Sequence, residues 1–365
     1  MMNSSENLLK ITRSKAPAKL KNDVIIRLAR GEKVEKIPVW MLRQSGHYLP
    51  KFTEICNMNK LETIYQNARL SSELTQLPLE YFDVDAVIIF ADSFVLLKIL
   101  GIKIEQSERG DLTITNPLMT PGDIDRLEKD IEVEKKVKPI LDTISLVSYE
   151  LDGRVPLIGF SLAPWTLLAY LVEGLGETKW FRAKSWLYLY KETSHQLLND
   201  LTGVVIDFLI HQYKAGAQVL MLIDSLTGIL GKQQFMEFCY PQLKEIAKEI
   251  KQRLSSDVPI MLYLQGVHYA IEELGKLDYQ IIGIDWTIEP DIARKQIGDK
   301  KVLMGNLDPV ALLADEKEIE KMTKSMIKML GADKCIANVG NGIFPTTDIG
   351  NVKKFVDTVH AYKKK

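Results

Sequence analysis

The residues best placed to do chemistry stand just after short apolar runs. Asp92 follows Ile88-Ile89-Phe90. Its carboxylate would sit beside an apolar wall, where a negative charge acts at low dielectric on a developing cation. The plainer reading of the same residue is a helix cap. Arg43 lies between an apolar run and Gly46, a place for a pocket cation that clamps carboxylates, or else a surface charge. Asp224-Ser225 ends another run and reads either as polar pocket groups or as a local turn. Tyr170 reads as a ligand contact or as core packing. Gly340 and Gly342 read as backbone pressed against a ligand or merely as a loop. The five histidines, His47, His195, His211, His268 and His360, form neither HExxH nor a His/Cys spacing that binds zinc. There is no phosphate loop and no G-x-S-x-G nucleophile elbow.

The elements that must position these groups are short and apolar. Eight runs without polar alternation occupy residues 37–40, 86–90, 156–160, 218–222, 260–264, 281–285, 302–306 and 335–339. Such runs fit strands buried on both faces of a parallel sheet. Helical patterns separate most of them. Leu197, Leu201, Val204, Val205, Phe208 and Leu209 recur at helical spacing, and Lys214 and Gly216 then give an end signal. Asp308-Pro309 looks like an N-cap followed by proline in the first helical turn. Between Lys103 and Thr115, Glu108-Arg109-Gly110-Asp111 reads as a hairpin turn. Eight strand–helix units predict an α/β fold of the TIM (β/α)₈ barrel type, a single domain over residues 19–365. Active sites in that fold lie at the C-terminal ends of the strands. An open doubly wound sheet is the competitor, but no glycine-rich dinucleotide fingerprint follows the first run.

The 365 residues are enough for such a barrel with insertions, and 46% hydrophobic with 26% charged residues is an ordinary globular balance. A formal net charge of −1 favours neither nucleic acid nor an anionic membrane. No apolar run reaches the roughly 18–20 residues of a membrane span. Cys56, Cys239 and Cys335 are few and widely spaced, which suits a reducing compartment. Residues 1–18 read as a disordered extension of a cytoplasmic protein, or alternatively as a transit peptide to an organelle such as a plastid.

At this point the motifs resemble a known family. Pro38-Val39-Trp40-Met41-Leu42-Arg43-Gln44-Ser45-Gly46-His47-Tyr48-Leu49-Pro50 is similar to the signature of the uroporphyrinogen decarboxylases. Ile88-Ile89-Phe90-Ala91-Asp92 and Gly159-Phe160-Ser161-Leu162-Ala163-Pro164-Trp165-Thr166-Leu167 resemble its next two motifs, the latter running on to Tyr170 and Glu173-Gly174. Asp285-Trp286, Gly305-Asn306-Leu307-Asp308-Pro309 and Ile336-Ala337-Asn338-Val339-Gly340-Asn341-Gly342 follow in the family's order, from about Leu20 to the C-terminus.

The resemblance implies a TIM barrel, a homodimer with facing active-site clefts, and removal of the four acetate carboxyls of uroporphyrinogen to give coproporphyrinogen without metal or organic cofactor. Protonating a pyrrole carbon gives a cationic ring that accepts the electrons left as CO₂ departs. By the same resemblance Asp92 stabilises that cation and hydrogen-bonds the pyrrole N–H groups. Arg43 clamps substrate carboxylates, Tyr170 and Ser225 line the pocket and bind substrate, and Phe160 supplies an apolar wall.

Some positions depart from the family pattern. The second signature arginine stands here as His47, two further basic positions as Thr53 and Cys56, and the histidine of the glycine-flanked motif as Asn341. His47 and Asn341 are then expected to bind substrate in place of the usual side chains, with Lys51 adding a nearby positive charge. These changes motivate a second reading, a relative without catalysis that binds tetrapyrrole or regulates an active copy. A third, a zinc-dependent methyltransferase of the wider superfamily, finds no His-x-Cys motif to support it.

Overall fold

The computed structural model describes residues 18–106, 112–175 and 179–364. Strands and helices alternate along the chain. We number the strands β1 (Val87–Ile88), β2 (Ile104–Gln106), β3 (Leu112–Ile114), β4 (Leu157–Leu162), β5 (Val219–Asp224), β6 (Ile260–Leu264), β7 (Ile281–Gly283), β8 (Val302–Leu307) and β9 (Cys335–Val339). Seven of them form one parallel sheet in the order β1-β4-β5-β6-β7-β8-β9, while β2 and β3 pair antiparallel outside it. The expected hairpin flanks are therefore present. Its turn, Glu108 to Asp111, lies outside the described residues, as do residues 1–17.

The sheet is apolar on both faces, as unalternated runs require. Leu220 and Leu222 of β5 pack outward under the helices. Val219 and Met221 face the other way, into a cluster with Met261, Tyr263, Met304, Ile336 and Trp40. Val24, Ile25 and Leu28 of the helix Val24–Ala29 belong to this second cluster. The helix Lys191–Ala215 buries Leu197, Leu201, Val205, Phe208 and Leu209, and ends at Gly216 with φ 122°, close to the predicted stop. Only glycine tolerates that conformation easily.

One expectation needs correcting. Residues 37–40 do not form a strand; they make one isolated parallel bridge, Val39 to Ala337. The reason lies in who satisfies the backbone. Pro38 has no N–H to give. The Val39 N–H donates to Asp85 Oδ2 (2.8 Å) and the Leu42 N–H to Asn338 Oδ1 (2.9 Å), so side chains cut short a ladder that consists of one N–H, from Trp40 to Ala337 O (3.3 Å). Arg43 then turns the chain with φ 52°. The segment still touches both edges of the sheet. The Ala337 N–H donates to Pro38 O (2.8 Å), and the Asp85 N–H, just ahead of β1, donates to Val39 O (2.7 Å). Asp308-Pro309 does cap a helical turn as expected: Asp308 Oδ1 accepts the Val310 N–H (2.9 Å) with Pro309 at its start, and the turn, Pro309–Leu313, is 3₁₀. The helix Glu316–Leu330 is capped by Asp315, whose Oδ1 accepts the N–H groups of Lys317 and Glu318.

Candidate active site

Asp92 lies four residues beyond β1 and is 9% exposed. One carboxylate oxygen, Oδ1, accepts the Phe94 N–H at 2.9 Å. That is a cap-like contact ahead of the helix Val95–Ile99, so the plainer reading holds for this oxygen. The other oxygen, Oδ2, is 2.7 Å from the Lys98 ammonium, which also reaches Glu62 Oε2 at 2.6 Å. Burial alone would lower the Lys98 pKa, but its hydrogen bonds to Asp92 and Glu62 outweigh that and raise it. The three residues line a cleft of about 600 Å³ together with Tyr65, Phe94, Lys103 and Glu105.

Phe160, half-buried in β4, shares a second, very small cavity with Asp92. Because β1 pairs with β4 only as far as Ile158, the Phe160 backbone has no strand partner on that side. The buried Gln212 carboxamide takes the partner's place. Its Oε1 accepts the Phe160 N–H at 2.9 Å and its Nε2 donates to Phe160 O at 2.8 Å. Beyond β1 the Ile89 N–H still reaches Ile158 O, while the Phe90 N–H points the other way, to Thr75 Oγ1.

Tyr170 comes from the helix Pro164–Glu173, which begins directly after β4. Its ring meets Phe94 edge-on at 5.4 Å and Trp180 at 5.5 Å. Burial pushes its hydroxyl upward in pKa, while the charge of Arg43 pulls the other way. Arg43 is exposed, and among the described residues its guanidinium has no hydrogen bond or ion pair. Its charge is also felt by Tyr65 and Tyr263. The aliphatic stem of Arg43 lies against Gly342, where an added Cβ would fall 2.6 Å from Arg43 Cδ. Arg43 thus sits against the loop that follows β9.

Ser225 follows the last residue of β5 and is half-buried, its N–H donating to Thr166 Oγ1 at 3.2 Å. The preceding Asp224 is fully enclosed, and burial raises its carboxyl pKa. Its Oδ1 accepts the Thr166 hydroxyl at 2.7 Å. Asn341 turns its Oδ1 onto the neighbouring Gly342 N–H at 2.8 Å. His47 is exposed, with its ring edge-on to Phe52 at 5.0 Å; Phe52 in turn meets Phe90.

Chained contacts therefore bring Asp92, Phe160, Tyr170 and Arg43 to one end of the sheet. Ser225 and Asn341 lie on loops leaving that end, beyond β5 and β9. Lys51 does not supply the extra positive charge expected of it, because its ammonium is held by Glu80 (2.9 Å) and Glu73 (3.2 Å). The Thr53 hydroxyl donates to His47 O (3.0 Å), and the half-buried Cys56 thiol is pushed up in pKa by burial. Lys98, Glu62 and Gln212 escape a reading of the sequence. Only the fold brings Lys98 and Glu62 onto Asp92, and Gln212 is one polar residue on an otherwise amphipathic helix.

Among known proteins, a uroporphyrinogen decarboxylase from zebrafish (Danio rerio) is 39% identical over 349 residues, covering 94% of this chain and 95% of its own. The human uroporphyrinogen decarboxylase is 40% identical over 349 residues, with the same coverage. Among solved structures, a methyltransferase from Methanosarcina mazei superposes with a TM-score of 0.75 at 19% identity, covering 93% of this chain and 98% of its own, a likeness of fold. The uroporphyrinogen decarboxylase (URO-D) family model matches residues 20–362, and the chain belongs to that family.

Proposed function

We propose that this protein is a working uroporphyrinogen decarboxylase, converting uroporphyrinogen to coproporphyrinogen by removing its four acetate carboxyls. The observation that carries the reading is the presence, at one end of the sheet, of a buried carboxylate, Asp92, and of a guanidinium, Arg43, that has no hydrogen bond or ion pair among the described residues. In each cycle a proton adds to a pyrrole carbon beside the acetate arm, leaving the ring cationic. The bond to CO₂ then breaks, and its electron pair flows into the ring and neutralises it. The exocyclic carbon takes up a proton to become a methyl group, and the ring returns the first proton. The only transient charge is the cation, and Asp92 is the group to stabilise it while accepting pyrrole N–H bonds. Arg43 holds a carboxylate of the substrate. Tyr170, Ser225 and Phe160 line the pocket, and His47 and Asn341 occupy its outer, substrate-binding positions. The chemistry asks for no metal or organic cofactor.

Residues 19–365 are read as one domain closing into a (β/α)₈ barrel. Hydrogen bonds from segment 38–40 to both edges of the sheet support that closure. A homodimer is supported by apolar side chains left in solvent on the helix Phe181–Leu189, where Phe181 is 78% and Leu189 70% exposed. We place the protein in the cytoplasm, a reading supported by its few and widely spaced cysteines. The non-catalytic alternative rests on positions 47, 53, 56 and 341. Against it stands identity of about 40% to a decarboxylase across 94% of the chain.

The test is anaerobic incubation with enzymatically generated uroporphyrinogen III, followed by separation of the oxidised products by carboxyl number. Products with seven to four carboxyls, lost in Asp92→Asn, are the expected result. Absence of product beside an active control enzyme would sink the reading, and turnover by Asp92→Asn would sink the role of the carboxylate.

A further inference from the structure

Resting on that reading, we propose that Lys98 is an exchangeable counter-ion of Asp92, and that Glu62 is the group that takes Lys98 over when substrate claims the carboxylate. A buried carboxylate needs a partner in the empty site, since an unpaired charge out of water is costly. A permanent ammonium partner would cancel the field that stabilises a cationic ring. The site meets both demands with one cation between two carboxylates. Lys98 Nζ lies 2.7 Å from Asp92 Oδ2 and 2.6 Å from Glu62 Oε2. The cluster Glu62–Lys98–Asp92 therefore keeps one excess negative charge.

Lys98 is not needed to aim Asp92. The other carboxylate oxygen is already fixed by the Phe94 N–H at 2.9 Å, at the head of the helix that carries Lys98. What Lys98 adds is charge, and what Glu62 adds is somewhere for that charge to go. All three side chains line the same cleft, so an arriving tetrapyrrole meets the pair at its point of exchange. As the ring becomes cationic it repels the ammonium toward Glu62, and Asp92 is freed during the step that needs it. Lys98 and Glu62 are positioning residues here, acting through Asp92.

The inference is distinguished from a merely structural ion pair by the sign of a double-mutant cycle. Glu62→Gln leaves the ammonium with Asp92 alone, so kcat should fall by roughly tenfold, with a smaller change in KM. Adding Lys98→Gln to that variant should raise kcat again, although two members of the network are now gone. If the pair only braces the fold, the double variant will be no faster than Glu62→Gln, and the proposal fails. Glu62→Ala serves should Glu62→Gln melt early, and must give the same sign. Fluorescence titration with uroporphyrin III runs alongside, with the same expected order: weaker binding in Glu62→Gln, recovered in the double variant. Where wild type binds but does not turn over, that order alone decides. Wild type that neither turns over nor binds porphyrin overturns the functional reading and this proposal together. A turning-over wild type with no recovery in the double variant overturns this proposal only.

Discussion

Arg43 and Gly342 are packed so closely that a methyl group on Gly342 would meet the Arg43 side chain at three carbons, at 2.6 Å from Cδ and 3.2 Å from Cβ and Cγ. Gly342 does not have a left-handed backbone, so its lack of a side chain serves the arginine. Gly342→Ala should swing the guanidinium out of place, lowering kcat/KM by about tenfold or more with little change in melting temperature. Unchanged kinetics would show that the pose of Arg43 does not matter to turnover.

The Gln212 clamp on Phe160 is a structural prediction. Gln212→Ala removes both backbone partners of Phe160 in a buried setting. Each orphaned group costs about 1–3 kcal/mol, so we expect roughly 2–6 kcal/mol of lost stability by urea denaturation. A loss within error of zero would mean that water replaces the carboxamide.

The Asp85 carboxylate predicts a pH dependence of stability. Burial alone would raise its pKa, but hydrogen bonds from His360, Lys36, Asn22 and the Val39 N–H overcome that and lower it. A carboxyl with a folded pKa below its unfolded value contributes stability above the unfolded pKa, near ~3.9, and loses it as pH falls through the folded value. The stability gap between wild type and Asp85→Asn should therefore be full at neutral pH and narrow below about pH 4. A gap constant across that range would show that shape rather than charge is what Asp85 provides.

His47 stands exposed against Phe52 where the family signature carries arginine. His47→Arg should tighten uroporphyrin binding or raise kcat/KM by several-fold, since a guanidinium adds a charge-assisted, two-pronged contact to a carboxylate. Titration of both proteins with the same porphyrin would show it. Equal affinities would make the second arginine dispensable in this chain.

The sheet was largely legible in the sequence because its strands are buried on both faces. The runs at 260–264 and 335–339 coincide with β6 and β9 to the residue. The run at 37–40 misled for a physical reason: it is as apolar as a strand, but the Val39 N–H goes to the Asp85 side chain and only the Trp40 N–H reaches β9, at Ala337 O, and a side-chain partner leaves no periodic trace. The motifs around Asp92 and Arg43 draw attention to both residues, and the fold brings them to one end of the sheet. Lys98 was not legible, since six residues of separation correspond to no local pairing rule and Glu62 comes from a different helix. Lys51 looked like a free charge until the fold set Glu73 and Glu80 beside it.

The contact between Leu42 and Asn338 spans 296 residues, and that span sets a timetable for synthesis. The segment carrying Arg43 leaves the ribosome early, yet its backbone partner emerges only with the last strand. Until then the Trp40 segment of a nascent chain lacks its neighbour in β9. A chain stalled short of β9 therefore lacks the Asn338 side chain that holds the backbone next to Arg43.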